Sequence, residues 1–186
     1  MYGFGKAEVI IGGGKINYVY GASNDDGNVR QVAIATLDNA GGCEFNVGKA
    51  YGGGKKASID GRAILNLGCV DSVGDVYGGA EAADINNDIE LNITNGTYTR
   101  VFGGNNISGN VYGKIVINIE ETGCQPINID ELYIGGNLAK YSVYGYKAPN
   151  DPKSSADGAK VYADPILNVK SFTHIGNIYG GGYQAD

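Results

Sequence analysis

Tryptophan is missing from this 186-residue chain, and histidine, methionine, cysteine and proline are scarce at one, one, three and four residues. Each scarcity excludes something. A single histidine, His174, makes no metal cluster and supports no Ser-His-Asp constellation; between Thr173 and Ile175 it reads as a strand-surface side chain. Cys43, Cys69 and Cys124 form no metal-spaced pair. Basic side chains number 14 against 20 acidic ones, a net charge of −6, so no basic patch exists to neutralise phosphates and nucleic acid is not an expected partner. No apolar run approaches the roughly 20 residues that span a bilayer, so membrane insertion is not expected of this segment. The start, Met1-Tyr2-Gly3-Phe4-Gly5-Lys6, lacks the charged and apolar regions of a signal peptide. Both ends read as cut from a longer chain, to whose flanking parts this segment would be joined. A helical period is nowhere sustained, so very little helix is expected.

Glycine is abundant, at 32 residues, with 14 tyrosines. The strict every-third spacing of collagen is absent, and a hydrophobic fraction of 42% argues against disorder. The glycines fall in a recurring phrase. Val73-Gly74-Asp75-Val76-Tyr77-Gly78-Gly79 returns as Val47-Gly48-Lys49-Ala50-Tyr51-Gly52-Gly53 and as Ile175-Gly176-Asn177-Ile178-Tyr179-Gly180-Gly181. Shorter echoes lie at Val19-Tyr20-Gly21, Val101-Phe102-Gly103-Gly104, Val111-Tyr112-Gly113, Tyr133-Ile134-Gly135-Gly136 and Val143-Tyr144-Gly145. A phrase repeated this often builds one structural unit many times.

The step is 26 residues. Asn66, Asn92 and Asn118 keep it within an apolar-Asn-apolar motif; so do Cys43 and Cys69, Tyr51 and Tyr77, and Gly52, Gly78 and Gly104. Within each step, short runs alternate: Ile89, Leu91 and Ile93 on one face, Glu90 and Asn92 on the other. Gly, Asn and Asp sit between the runs, where turns need residues that tolerate positive φ. Strands at a fixed period separated by tight turns predict an all-β parallel β-solenoid, a single domain over 1–186 with about three strands per coil and roughly six to seven coils. A propeller blade is longer, a leucine-rich repeat needs spaced leucines and helices, and the hairpins of a β-sandwich need not recur in register. The Pro- and Ser-rich stretch 147–164 reads as an insertion loop thrown out from the stack.

The Val-Tyr-Gly-Gly phrase with its Gly-Asn corners resembles the Gly-rich repeats of bacterial adhesin-like surface proteins that fold as right-handed parallel β-helices of the pectate-lyase type. The resemblance rests on repeat texture over most of the chain. It implies a right-handed coil, a secreted or surface-attached location, and membership of a longer protein, and it carries over no functional residue.

Candidate chemistry is sparse. Two carboxylates about 5–10 Å apart across a groove would mark a glycoside hydrolase. Asp25, Asp26, Asp84, Asp88, Asp130 and Glu131 are available, but none falls in a repeated column with a basic partner, and no catalytic residue is assigned. Asp84-Ile85-Asn86-Asn87-Asp88 opens like a calcium loop, with oxygens on Asp84, Asn86 and Asp88, but lacks the glycine and the distal glutamate of one; a polar turn is the plainer reading, and no cofactor other than Ca2+ suggests itself. The glycines of Gly52-Gly53-Gly54-Lys55-Lys56 lack phosphate-loop spacing and read as corners. The cysteines, equivalent in successive coils, are expected to be small buried free thiols, with a disulfide the lesser alternative. The aromatic column stands out. Alternation sends Val76 inward and Tyr77 outward, which predicts an outward row of Tyr51, Tyr77, Phe102 and Tyr179, suited to contacting a glycan or a surface protein unless the rings merely brace one another. The expected function is a rigid adhesive or display segment; the alternative is a β-helix polysaccharide lyase or glycoside hydrolase.

Overall fold

In a computed structural model that describes residues 3–39, 41–141 and 164–185, the alternating runs form twelve strands and, among those residues, no helix. They are β1 (Gly3–Ile11), β2 (Gly14–Tyr20), β3 (Asn28–Leu37), β4 (Phe45–Tyr51), β5 (Arg62–Leu67), β6 (Ser72–Tyr77), β7 (Ile89–Ile93), β8 (Gly96–Phe102), β9 (Ile115–Glu120), β10 (Ile127–Tyr133), β11 (Ile166–Ser171) and β12 (His174–Tyr179). Odd strands form one six-stranded sheet in the order β1-β3-β5-β7-β9-β11, and even strands form a second, β2 to β12, in the same sense. Every pairing is parallel. Parallel neighbours that alternate between two sheets are what a coiling chain produces, so the expected β-solenoid is the fold.

The period translates into register. Asn66 pairs with Asn92 and Asn92 with Asn118, and Asn168 continues the column although 50 residues separate it from Asn118. Each amide donates one rung down: Asn168 Nδ2 to Asn118 Oδ1, Asn118 to Asn92 and Asn92 to Asn66, each at 2.8 Å, and Asn66 to Thr36 Oγ1 at 3.2 Å. Beneath this polar column the inward faces interlock. Ala35, Leu65, Leu91 and Ile117 are fully buried in one column, and Ala33, Ala63, Ile89 and Ile115 in the next. Burying such side chains removes apolar surface from water at about 25 cal/mol per Å2, which is the main drive to stack.

Two details depart from expectation. The third strand of each coil is reduced to isolated parallel bridges: Ile59 to Ile85 and Ile85 to Val111, whose side chains point into the core, and Ala82 to Ser108, while the rest of that side runs as turns. The glycine step is also not constant. Tyr77 pairs with Phe102, so Gly103, not Gly104, stands above Gly78, and that coil is one residue short. The missing residue lies at the corner between the sheets. Thr94-Asn95 alone joins β7 to β8, whereas Gly68–Asp71 joins β5 to β6 and Glu121–Pro126 joins β9 to β10. The expected insertion at 147–164 falls, apart from Asp164, outside the described residues.

The recessed corner explains the cysteines. Cys69 and Cys124 stand on the longer corners to either side, and across the gap they form a disulfide with a Cα–Cα separation of 5.9 Å. Asn95 fills the space beneath: its Oδ1 accepts the backbone N–H groups of Cys124 and Gln125, both at 3.1 Å, and its Nδ2 donates to Thr122 Oγ1. Tyr98, fully buried, donates its hydroxyl to the Asn95 carbonyl from below. Burial of Tyr98 pushes its ionisation far above the ordinary range. The expectation of three buried free thiols is thus corrected: two are bridged, and Cys43 is free but exposed, on the corner between β3 and β4. Strict equivalence of successive coils, on which that expectation rested, fails where one corner is shortened.

Candidate functional site

The repeated rings do form a column. Tyr20, Tyr51, Tyr77, Phe102, Tyr133 and Tyr179 stack with centroids 4.8, 4.8, 5.0, 4.9 and 4.6 Å apart and planes within 12°. The spacing is that of the rungs, because parallel strands in register place equivalent side chains one strand spacing apart. Alternation behaves as the sequence implies: Val76 and Val101 join the main core, while the rings point away from it and form a separate apolar cluster. The row is not open to solvent, however. Tyr51, Tyr77 and Phe102 are buried, and of the four expected row residues only Tyr179, in the last rung, is exposed. The outward row is therefore corrected to an enclosed ladder, to which Tyr20 and Tyr133 also belong.

What encloses it is a second column, four residues past the rings. Glu81 follows Tyr77 by four, Asn106 follows Phe102 by four, and Asn137 follows Tyr133 by four. Glu81 and Asn106 lean back across two rungs, and Asn137 across one. Tyr20 donates its hydroxyl to Glu81, Asn106 Nδ2 donates to Tyr51 Oη at 2.9 Å, and Asn137 Nδ2 donates to Asn106 Oδ1 at 2.9 Å. Burial raises the Tyr51 ionisation well beyond its usual value, with the Asn106 bond only partly opposing it, so the hydroxyl stays neutral. At Tyr77 the arrangement is incomplete: its buried hydroxyl, near Asp75 and Asn137, makes no hydrogen bond of full geometry. Tyr77→Phe is accordingly expected to be neutral or to stabilise the chain by up to about 1 kcal/mol, because it removes an unsatisfied polar group and keeps the ring. A urea melt showing a loss above about 1.5 kcal/mol would mean that this hydroxyl is bonded.

Beside the ladder runs a column of alternating charge: Lys49, Asp75, Arg100 and Glu131, one per rung, preceded by Tyr18 and followed by Asn177. Asp75 is the hub. Arg100 grips it with Nε and a terminal nitrogen, both at 2.8 Å, and Lys49 approaches at 3.2 Å. The Asp75 carboxylate, bonded to the guanidinium, raises the Arg100 ionisation further above its already high value. Arg100 also lies 5.8 Å over the Phe102 ring. Carboxylates with basic partners in a repeated column do therefore exist, at Asp75 and Glu131, against the expectation. The signal was legible as the third residue of the phrase, Lys-Asp-Arg-Glu in successive coils.

Other acidic side chains brace neighbouring rungs. Asp84 Oδ1 accepts the N–H of Asn110, and Asp88 Oδ1 that of Lys114, both at 2.8 Å, while Asn86 donates to Asp60 at 2.7 Å. Of the three residues proposed for Ca2+, Asp84 and Asp88 thus each direct a carboxylate oxygen to a separate backbone N–H, and Asn86 turns its amide nitrogen to Asp60. Among the described residues no group of three or more His, Cys, Asp or Glu side chains could hold a metal ion. His174 is exposed on β12, opposite Asn128. Among the described residues no helix is long and apolar enough to cross a membrane.

The groove between ladder and cover is open at the first rungs. There the cover column consists of Asn24 and Lys55, which, with Tyr18, Tyr20, Ala22 and Glu81, line a pocket of about 350 Å3. Tyr18 is 56% exposed and its ring lies 6.4 Å from that of Tyr20, nearly parallel. No protein-family model, no curated protein and no solved structure matches this chain.

Proposed function

We propose that this chain is a rigid adhesive or display segment of an extracellular, surface-attached bacterial protein, of the Gly-rich adhesin-like kind, rather than a carbohydrate-active enzyme. The observation that carries the reading is where the acidic side chains go. Asp38, Asp71, Asp84 and Asp88 accept backbone N–H groups of a neighbouring coil, and Asp75 and Glu90 accept from arginines one rung away. Their role is to lock coil to coil, which makes a stiff rod. A lyase or hydrolase instead needs carboxylates facing one another across a cleft. The Cys69–Cys124 bridge supports an oxidising, extracellular setting.

The purified chain, incubated with immobilised polysaccharides and assayed in parallel for release of reducing ends or unsaturated uronates, tests the reading. Retention without turnover is the expected result. Turnover abolished by replacing any one carboxylate would establish the enzyme instead, and absence of retention on every surface would remove the adhesive role.

A further inference from the structure

We propose that the pocket at the open end of the ladder groove receives one neutral pyranose ring, with Tyr18 as its stacking platform and Glu81, Lys55 and Asn24 as its polar contacts. This rests on the adhesive reading above and names the subsite that would serve it.

The argument begins with the cover column. In the later rungs its amides are engaged internally: Asn106 on Tyr51, and Asn137 on Asn106. In the first rungs the equivalent polar groups have no such work. Tyr20 occupies one oxygen of Glu81, and Oε1 of the same carboxylate makes no hydrogen bond among the described residues. Nor does the Lys55 ammonium make an ion pair there, nor the Asn24 carboxamide a hydrogen bond. One acceptor, one cationic donor and one amide therefore line a single pocket without internal partners.

The chemistry of these groups selects the ligand. The charge of the pocket is balanced: Lys55 disfavours a cation and Glu81 disfavours an anion, each at short range. What remains is a neutral molecule rich in groups that both donate and accept. Adjacent hydroxyls of a sugar meet that need, donating to Glu81 and accepting from Lys55 and Asn24. The C–H face of a pyranose then has a matching surface in the Tyr18 ring, more than half exposed and held nearly parallel to Tyr20. A volume of about 350 Å3 sits at the small end of ligand pockets and suits one ring rather than a chain. The fixed hydrogen bond from Tyr20 to Glu81 keeps the carboxylate in place before any ligand arrives.

The test is an NMR titration of the whole chain, labelled at tyrosine, with glucose, galactose and N-acetylglucosamine, and with galacturonate and glucosamine as charged controls. The expected result is a saturable shift of the Tyr18 and Tyr20 ring signals by at least one neutral sugar, with weaker shifts from both charged ones. Tyr18→Ala should weaken that sugar about tenfold, and Tyr18→Phe should retain it. Glu81→Gln should also weaken it, and Tyr179→Ala, at the opposite end of the ladder, should change nothing. Shifts confined to other residues, no shift from any neutral sugar, preference for a charged sugar, or an unaltered affinity in Tyr18→Ala would each overturn the proposal. Its failure is separable from that of the adhesive reading. Retention on polysaccharide that survives Tyr18→Ala refutes the pocket alone, and free-sugar binding without retention on any surface refutes the adhesive role alone.

Discussion

Gly78→Ala should cost about 3 kcal/mol or more, while Gly180→Ala, the same residue of the same phrase in the last rung, should cost less than about 0.5 kcal/mol or be slightly stabilising. The reason is the approach of neighbouring rungs. A Cβ on Gly78 would lie 2.4 Å from the carbonyl oxygen of Gly103 and 2.7 Å from Ile89 Cγ2. The first contact is with backbone, so no rotamer change relieves it. The same holds below and above: a Cβ on Gly52 would meet Gly78 O at 2.3 Å, and one on Gly103 would meet Ile134 O at 2.3 Å. Gly180 has nothing within 4 Å. None of these positions has positive φ; the glycines that do, such as Gly96 and Gly109, lie elsewhere. The phrase therefore needs glycine for room between coils and not for turn conformation. Urea melts of the two variants, followed by circular dichroism, measure the contrast. Equal small losses would show that the rungs separate readily at this column.

Opening the Cys69–Cys124 bridge is expected to cost about 4 kcal/mol, the chain-entropy value for a loop of 55 residues. That loop contains all of β6 to β9, so the cross-link restrains the unfolded state over four central strands of the stack. The double variant Cys69→Ser/Cys124→Ser removes the cross-link and leaves the Asn95 hydrogen bonds to the corner backbone in place. Its denaturation midpoint should fall to that of the wild-type chain under reducing agent. Cys43, being exposed, should accept an alkylating reagent in the native state, with Cys69 and Cys124 reacting only after reduction. Identical midpoints with and without the bridge would contradict the expected stabilisation.

How far the sequence announces this structure depends on whether a feature is local to a coil. The Asn column and the apolar columns were legible because a parallel solenoid turns one residue period into one spatial repeat, and Asn66, Asn92 and Asn118 kept that period without a gap. The direction of Val76 and Tyr77 was legible for the same reason. The cover over the rings was not, because Glu81 and Asn106 close onto rings two rungs away and Asn137 closes onto Asn106, and nothing in a single coil reports contacts between coils. Their constant offset of four from Tyr77, Phe102 and Tyr133 was the available signal. The disulfide hid behind a one-residue deficit. The step from Tyr77 to Phe102 is 25 rather than 26, and that shortening is what recesses the Thr94-Asn95 corner and lets its neighbours meet across it. The third strand failed for a different cause: Gly-rich turns on that side leave isolated bridges alone, Ile59 to Ile85 to Val111 and Ala82 to Ser108.

The bridged corner also sets how far the rod lengthens under tension. If the chain is pulled from its ends, coils peel away and each freed residue adds up to about 3.5 Å of contour. The residues between Cys69 and Cys124 are excluded from that extension while the sulfurs remain joined, because force passes through the bridge and bypasses the intervening backbone. A tether of this kind withholds roughly 190 Å of slack, and releases it only when a reductant reaches the bond. The distance over which a load on this rod is borne would then depend on the redox state of the surrounding medium.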